Sequence, residues 1–184
     1  MQQFIRALFG FLPFLLRTWL DSIFPEWNLP SCVIVKKQKQ DWEEEFDLEK
    51  ANYARLRPLQ GTVIPELFAE LGYDNARALL LSDIGCVCLA TPEGALLDIA
   101  DSRRLLRQVL TALSQFGILQ EDIKLDNFHL TGDRIMVVDL ENLSMEELLD
   151  KQLEFGINST VNILAKRYED NQLCFLEDGL LVLI

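Results

Sequence analysis

Apolar and polar positions follow two different periods along this chain, and the switches between them mark its elements. Val33, Ile34 and Val35 form a short β-branched run ending at Lys36, which predicts a strand. From Asp41 the pattern changes. Phe46, Ala51, Tyr53, Ala54 and Leu56 give one partly apolar side to an otherwise charged helix, and Asp41 with Glu44 reads as its capping box. Leu105, Leu106, Val109, Leu110, Leu113 and Phe116 recur at helical spacing in a stretch that Asp101 or Ser102 can cap and Gly117 can end. Phe128-His129-Leu130, Thr131-Gly132-Asp133 and Ile135 to Val138 read as a tight hairpin. Ser144 with Glu147 opens a further helix to about Phe155, and Gly156 separates it from another carrying Val161, Ile163, Leu164 and Tyr168. The tail from Leu173 to Ile184 reads as a hairpin about Asp178-Gly179. The fold class is α+β, with helices gathered in the second half.

The first 20 residues stand apart. Phe4 to Leu20 is strongly apolar, but its uncharged core covers only residues 7–16, and Pro13 falls inside it. Spanning a bilayer takes about 20 residues, so a transmembrane anchor is disfavoured. Arg17, Trp19 and Asp21 stand where a signal peptide would carry small cleavage-site residues. The preferred reading of residues 1–30 is a helical segment packed on the folded domain. Weak membrane contact through residues 4–20 is the second reading, and secretion the third.

With 184 residues, 49% of them hydrophobic, the chain suits one globular domain with a sizeable core. A net charge of −12 argues against nucleic acid or anionic membrane as an electrostatic partner and fits a neutral or basic protein better. Cys32, Cys86, Cys88 and Cys174 lack metal-ligand spacing, and His129 is the only histidine, so zinc is not expected. Cys86 and Cys88 would share one strand face as small buried thiols, which suits a reducing, cytoplasmic setting.

The chemistry concentrates between residues 118 and 139. Asp122, Lys124 and Asn127 form a D-x-K-x-x-N loop, and the hairpin that follows returns the chain to Asp139. Moving a γ-phosphoryl group requires a carboxylate beside the acceptor hydroxyl, a cation for the developing charge and oxygen ligands for a metal. Asp122 is the candidate base, Lys124 the candidate cation, and Asn127 with Asp139 the candidate metal ligands. One carboxylate and one amide oxygen facing a phosphate suit Mg²⁺. Upstream, Val33-Ile34-Val35-Lys36 places a lysine at a strand end, and Glu49 lies on the next predicted helix where an ion-pair partner belongs. Lys37 competes with Lys36 for that role, and Glu43, Glu44, Glu45 and Asp47 compete with Glu49.

On these residues the chain resembles the protein-kinase-like superfamily, in particular small fungal kinase-like proteins carrying V-K-K-Q-K, W-E-E-E-F, a Leu-Gln-Gly-x-Val-Ile-Pro run, L-S-D-I-G and K-L-D-N-F-H-L. Here those runs are Val35 to Lys39, Trp42 to Phe46, Leu59 to Pro65, Leu81 to Gly85 and Lys124 to Leu130, so the likeness spans about residues 27–145. It implies a bilobal fold with a small N-lobe sheet at about residues 31–85 and a reduced helical C-lobe at about 86–184. It implies ATP and Mg²⁺ as cofactors, with Lys36, aligned by Glu49, on the ATP phosphates. It also implies that Leu81 and Asp83 belong to the hinge that holds adenine through its backbone, with Leu80 or Leu81 near the back of the pocket.

The departures matter equally. No glycine-rich phosphate loop precedes Lys36, since residues 1–32 contain a single glycine, Gly10. Gln120 and Glu121 replace the usual histidine and arginine of the base loop, and Asp139-Leu140-Glu141 replaces D-F-G. No A-P-E follows, and the 45 residues after Asp139 predict a reduced or truncated C-lobe. Two functions are therefore expected: an ATP-dependent phosphotransferase acting on a protein or small-molecule hydroxyl, or a pseudokinase that binds a protein partner without turnover.

Overall fold

A computed structural model describes residues 29–85, 87–120, 122–145 and 150–181. The reading of the apolar residues 4–20 therefore lies outside the described residues, as does Cys86. Strand β1 (Val33–Lys37) pairs antiparallel with β3 (Ala76–Ser82), and β3 pairs on its other edge with β2 (Leu67–Tyr73), giving the order β1-β3-β2. The β2–β3 register shifts between Leu67 and Ala69. Central β3 is the most buried of the three, as an apolar Ala-Leu-Leu-Leu run covered on both sides demands.

Between β1 and β2 comes helix α1 (Glu43–Arg55), which buries Phe46, Glu49, Asn52 and Tyr53. Its expected capping box does not form. Asp41 sits in the left-handed region at φ 62, and Trp42 occupies the N-cap without a side-chain hydrogen bond. Helix α2 (Ile99–Ser114) begins earlier than its apolar pattern suggests, because Asp98, not Asp101 or Ser102, is the cap and accepts from the Ala100 amide at 2.7 Å.

Short strand β4 (Ile118–Gln120) leads from α2 into the Asp122 loop and pairs with β7 (Leu143–Met145). The predicted hairpin is present as β5 (Phe128–Thr131) and β6 (Arg134–Val137), with Phe128 opposite Val137 and Gly132 in the turn. The last helix departs most from expectation. Instead of two helices divided at Gly156 and a terminal hairpin, α3 (Asp150–Glu177) runs for 28 residues, and Ser144 belongs to β7. Gly179 at φ 68 ends α3 rather than turning a hairpin: its amide donates to Leu176 O and the Leu180 amide to Phe175 O, the paired bonds of a Schellman cap.

One apolar cluster joins these elements: Phe46, Tyr53 and Leu56 of α1, Leu79 and Leu81 of β3, the buried face of α2, Phe128, Ile135 and Val137 of the hairpin, and Ile157, Val161, Leu164 and Tyr168 of α3. Polar side chains fix its joints. The Tyr168 hydroxyl donates to Gly94 O at 2.9 Å and accepts from the Leu97 amide at 2.9 Å, while Gln172 donates to Ala95 O at 2.6 Å. These bonds hold the turn at Gly94–Leu96 against α3. No helix among the described residues is long and apolar enough to cross a membrane.

Candidate functional site

A cleft of about 590 Å³ opens between the β1–β3 sheet and the β5–β6 hairpin. Ile34 and Val35 line it from β1, the segment Leu81 to Gly85 runs along one side, and His129 and Val138 line it from the hairpin. Lys36, Lys39, Glu49, Tyr53 and Asp139 also face it. Leu81 is buried in the wall, whereas Asp83 spends its carboxylate on the Gly85 amide, 2.9 Å away, shaping the backbone there. The Thr131 hydroxyl donates to Ile84 O at 3.0 Å and ties that segment to the hairpin.

The charged centre is built around Lys36. Its Nζ lies 2.7 Å from Glu49 Oε2, 2.5 Å from Asp139 Oδ1 and 3.9 Å from Glu141 Oε2. Lys37 faces elsewhere and pairs with Asp74, and the carboxylates that competed with Glu49 stay outside this cluster. Glu49 is 1% exposed, and α1 also holds the following turn: Glu49 accepts from the Leu140 amide at 3.3 Å, and Asn52 donates to Leu140 O at 2.8 Å. Asp139 adopts φ 64, a left-handed conformation that a non-glycine residue takes only at a cost of about 1–3 kcal/mol. That turn aims its carboxylate at Lys36 while Leu140 faces α1.

Burial alone would lower the Lys36 pKa, but the Glu49 charge and the bonds to Asp139 and Glu49 outweigh it, so the ammonium form is favoured. Glu49 moves the other way from a simple ion pair: burial dominates, and despite Lys36 its carboxyl is held above the usual range. Glu49, Asp139 and Glu141 can each present an oxygen within 4.8 Å of the others, and the Lys36 ammonium is the cation among them.

Asp122, Lys124 and Asn127 form a second group. Lys124 Nζ lies 2.9 Å from Asp122 Oδ2, and the Asn127 amide nitrogen donates to Asp122 O at 3.1 Å and Oδ2 at 3.3 Å. The Lys124 bond chiefly holds the Asp122 carboxyl below its ordinary value, and the same bond raises Lys124, with Asp126 and Asp139 adding to the effect. Arg167 of α3 hydrogen-bonds Ile123 O and anchors the loop. The two groups meet through the base of the hairpin, where the Val138 amide donates to Asn127 O at 2.9 Å, setting Asn127 beside the residues that lead into Asp139. With its nitrogen committed to Asp122, the amide oxygen of Asn127 is the atom left for a cation.

Five residues of this region were not singled out from sequence: Lys39, Tyr53, His129, Glu141 and Arg167. Glu141 is buried beside Lys36, and Lys39 reaches it at 3.4 Å. Tyr53 and His129 each turn a buried polar atom, Oη and Nδ1, to no partner among the described residues, and both border the cleft. Proximity of Glu141 to Asp139 in the chain was the one available signal; nothing local marked the others.

No family model matches this chain, and a comparison with curated proteins finds no relative.

Proposed function

We propose that the protein is an ATP-dependent phosphotransferase of the protein-kinase-like type, transferring a γ-phosphoryl group to a hydroxyl of a protein or small molecule. The observation that carries this reading is the Lys36–Glu49–Asp139 contact at the inner end of a cleft bordered by the Leu81–Gly85 backbone. On this reading the β1–β3 sheet with α1 is the N-lobe, the remainder a reduced C-lobe, and the cleft between them takes the nucleotide. Lys36, held by Glu49, contacts the phosphates, while Asp139 and the Asn127 oxygen hold Mg²⁺. Asp122 takes the acceptor proton as the new P–O bond forms and the bond to ADP breaks. Its carboxylate is ionised for that role by Lys124, which then lies beside the transferred phosphate.

One observation favours the second reading, a catalytically impaired pseudokinase that acts as a protein-binding module. Glu141 puts a third carboxylate near Lys36, and that negative charge opposes a polyphosphate.

Thermal unfolding with saturating ATP and Mg²⁺ tests the proposal. At a ligand concentration of about 100 Kd the stabilisation is about 2.7 kcal/mol, a Tm rise of roughly 5–10 °C for a domain of this size, and Asp139→Ala should abolish it. No rise in the wild type sinks the phosphotransferase reading and leaves the protein-binding module. Given a rise, transfer of labelled phosphate that disappears in Asp122→Asn identifies the enzyme, and binding without transfer identifies a nucleotide-binding scaffold that has lost turnover.

A further inference from the structure

The cleft has a charge problem at its inner end. No G-x-G-x-x-G run occurs anywhere in the sequence, so backbone amides of that kind are not offered to a phosphate chain. Among the described residues, two lysines line the cleft, Lys36 and Lys39. Lys36 is already committed to carboxylates at 2.5 and 2.7 Å, with a third at 3.9 Å. Lys39 is the less engaged of the two. Its side chain is 56% exposed, its contact with Glu141 is a long 3.4 Å, and its Nζ stands 4.3 Å from the centre of the Trp42 ring.

We propose that Lys39 is a phosphate-contacting residue of the cleft, which supplies the grip on the outer phosphates of a nucleoside triphosphate that a glycine-rich loop would otherwise provide. This rests on the phosphotransferase reading above and adds a residue to it. The mechanics follow from what Lys39 touches. Trp42 takes the ammonium against its ring face and Glu141 draws it toward Lys36, both beside the cleft that Lys39 borders, so the flexible stem is tethered at the edge of the cleft. A weak hydrogen bond and a cation–π contact are both readily exchanged for phosphate oxygens, whereas Lys36, with two of its three donors on short ion pairs, keeps one for a phosphate. Glu141, which stands two residues after Asp139, thereby acts as a positioning residue for Lys39.

Calorimetric titration of the full chain with ATP and with adenosine, both in Mg²⁺, tests this. Lys39→Met should weaken ATP binding about tenfold or more while leaving adenosine binding unchanged, because one charge-assisted contact to phosphate is lost. Lys39→Arg should restore ATP binding to within about threefold, since a guanidinium also pairs with phosphate. Lys37→Met, which removes a charge two residues earlier in the chain that is paired to Asp74, should change neither. The proposal is overturned if Lys39→Met binds ATP like the wild type, if it loses adenosine and ATP equally, or if wild-type ATP affinity is no greater than that for adenosine. A wild type that binds neither ligand overturns the nucleotide reading itself, which is a different result from any of these three.

Discussion

Replacing Lys36 with methionine should destabilise the protein in a strongly pH-dependent way. The side chain keeps most of its length and apolar stem, so the change isolates the charge. At an effective dielectric of about 20, contacts at 2.7 and 2.5 Å are each worth roughly 6–7 kcal/mol of gross attraction. That is not the amount lost, because a carboxyl stripped of its cation can take up a proton. Glu49, 1% exposed, is the group that must do so, whereas Asp139 at 32% keeps contact with water. Neutralising a carboxyl of ordinary pKa 4.5 at pH 7 costs at most about 3.4 kcal/mol, and at pH 5 about 0.7 kcal/mol. The sign follows from proton binding: a carboxyl whose folded pKa is raised holds its proton better in the folded state, so the stability it allows is complete below its unfolded pKa and is lost as pH rises. Urea unfolding at pH 5 and pH 7 should therefore place the variant less than about 1 kcal/mol below wild type at the first pH and about 3 kcal/mol below at the second. A difference that stays constant between the two, or grows toward pH 5, would refute the electrostatic account of this cluster.

Two further substitutions probe the cleft and its support. Tyr53→Phe removes a buried hydroxyl that has no partner among the described residues, so thermal unfolding should show a change within about 0.5 kcal/mol or a gain of about 1 kcal/mol; a loss above 1 kcal/mol would mean that the hydroxyl is bonded in solution. Gly94→Ala should be severe, because a Cβ there would stand 1.9 Å from Cys88 O and 2.6 Å from its carbonyl carbon, backbone atoms held by the Thr91 amide and hydroxyl, while Tyr168 holds Gly94 O from the other side. A loss of more than about 3 kcal/mol in urea unfolding is expected, and one below 1 kcal/mol would show that the turn opens freely.

What was legible in the sequence depended on how local its cause is. The β5–β6 hairpin follows from apolar runs flanking Thr131-Gly132-Asp133, and the body of α2 from six apolar residues at helical spacing; both signals lie within a few residues of what they determine. Boundaries set by a single competing side chain were not legible. Asp98 captures the Ala100 amide and lengthens α2, while Asp41 resembles a cap but is turned away by its own positive φ. Gly156 looks like a break in sequence, since an interior glycine costs about 1 kcal/mol relative to alanine. The helix runs through it because Ile157, Val161, Leu164 and Tyr168 bury in the common core on the far side, and the tertiary gain exceeds the local cost.

The candidate site divides along the same line. Lys36 could be separated from Lys37, and Glu49 from its acidic neighbours, only by the facing of β1 against α1, a matter of which strand face and which helical turn look inward. In α1, Phe46, Glu49 and Tyr53 recur at spacings of three and four and share the buried side, which carries Glu49 inward while Glu43, Glu44 and Asp47 remain exposed. Two aromatic neighbours at that period, Phe46 and Tyr53, would have favoured Glu49 had the burial of a carboxylate been entertained as readily as its solvation. Glu141 is different in kind. It becomes a neighbour of Lys36 because Asp139 takes a left-handed conformation and Leu140 hands both of its backbone groups to α1, so its place follows from contacts across some 90 residues of chain. A spacing rule built on the D-F-G position expects glycine there and carries no information about an acid. The charge balance of the cleft, and with it the role assigned to Lys39, therefore emerged only once α1, β1 and the turn after β6 were seen together.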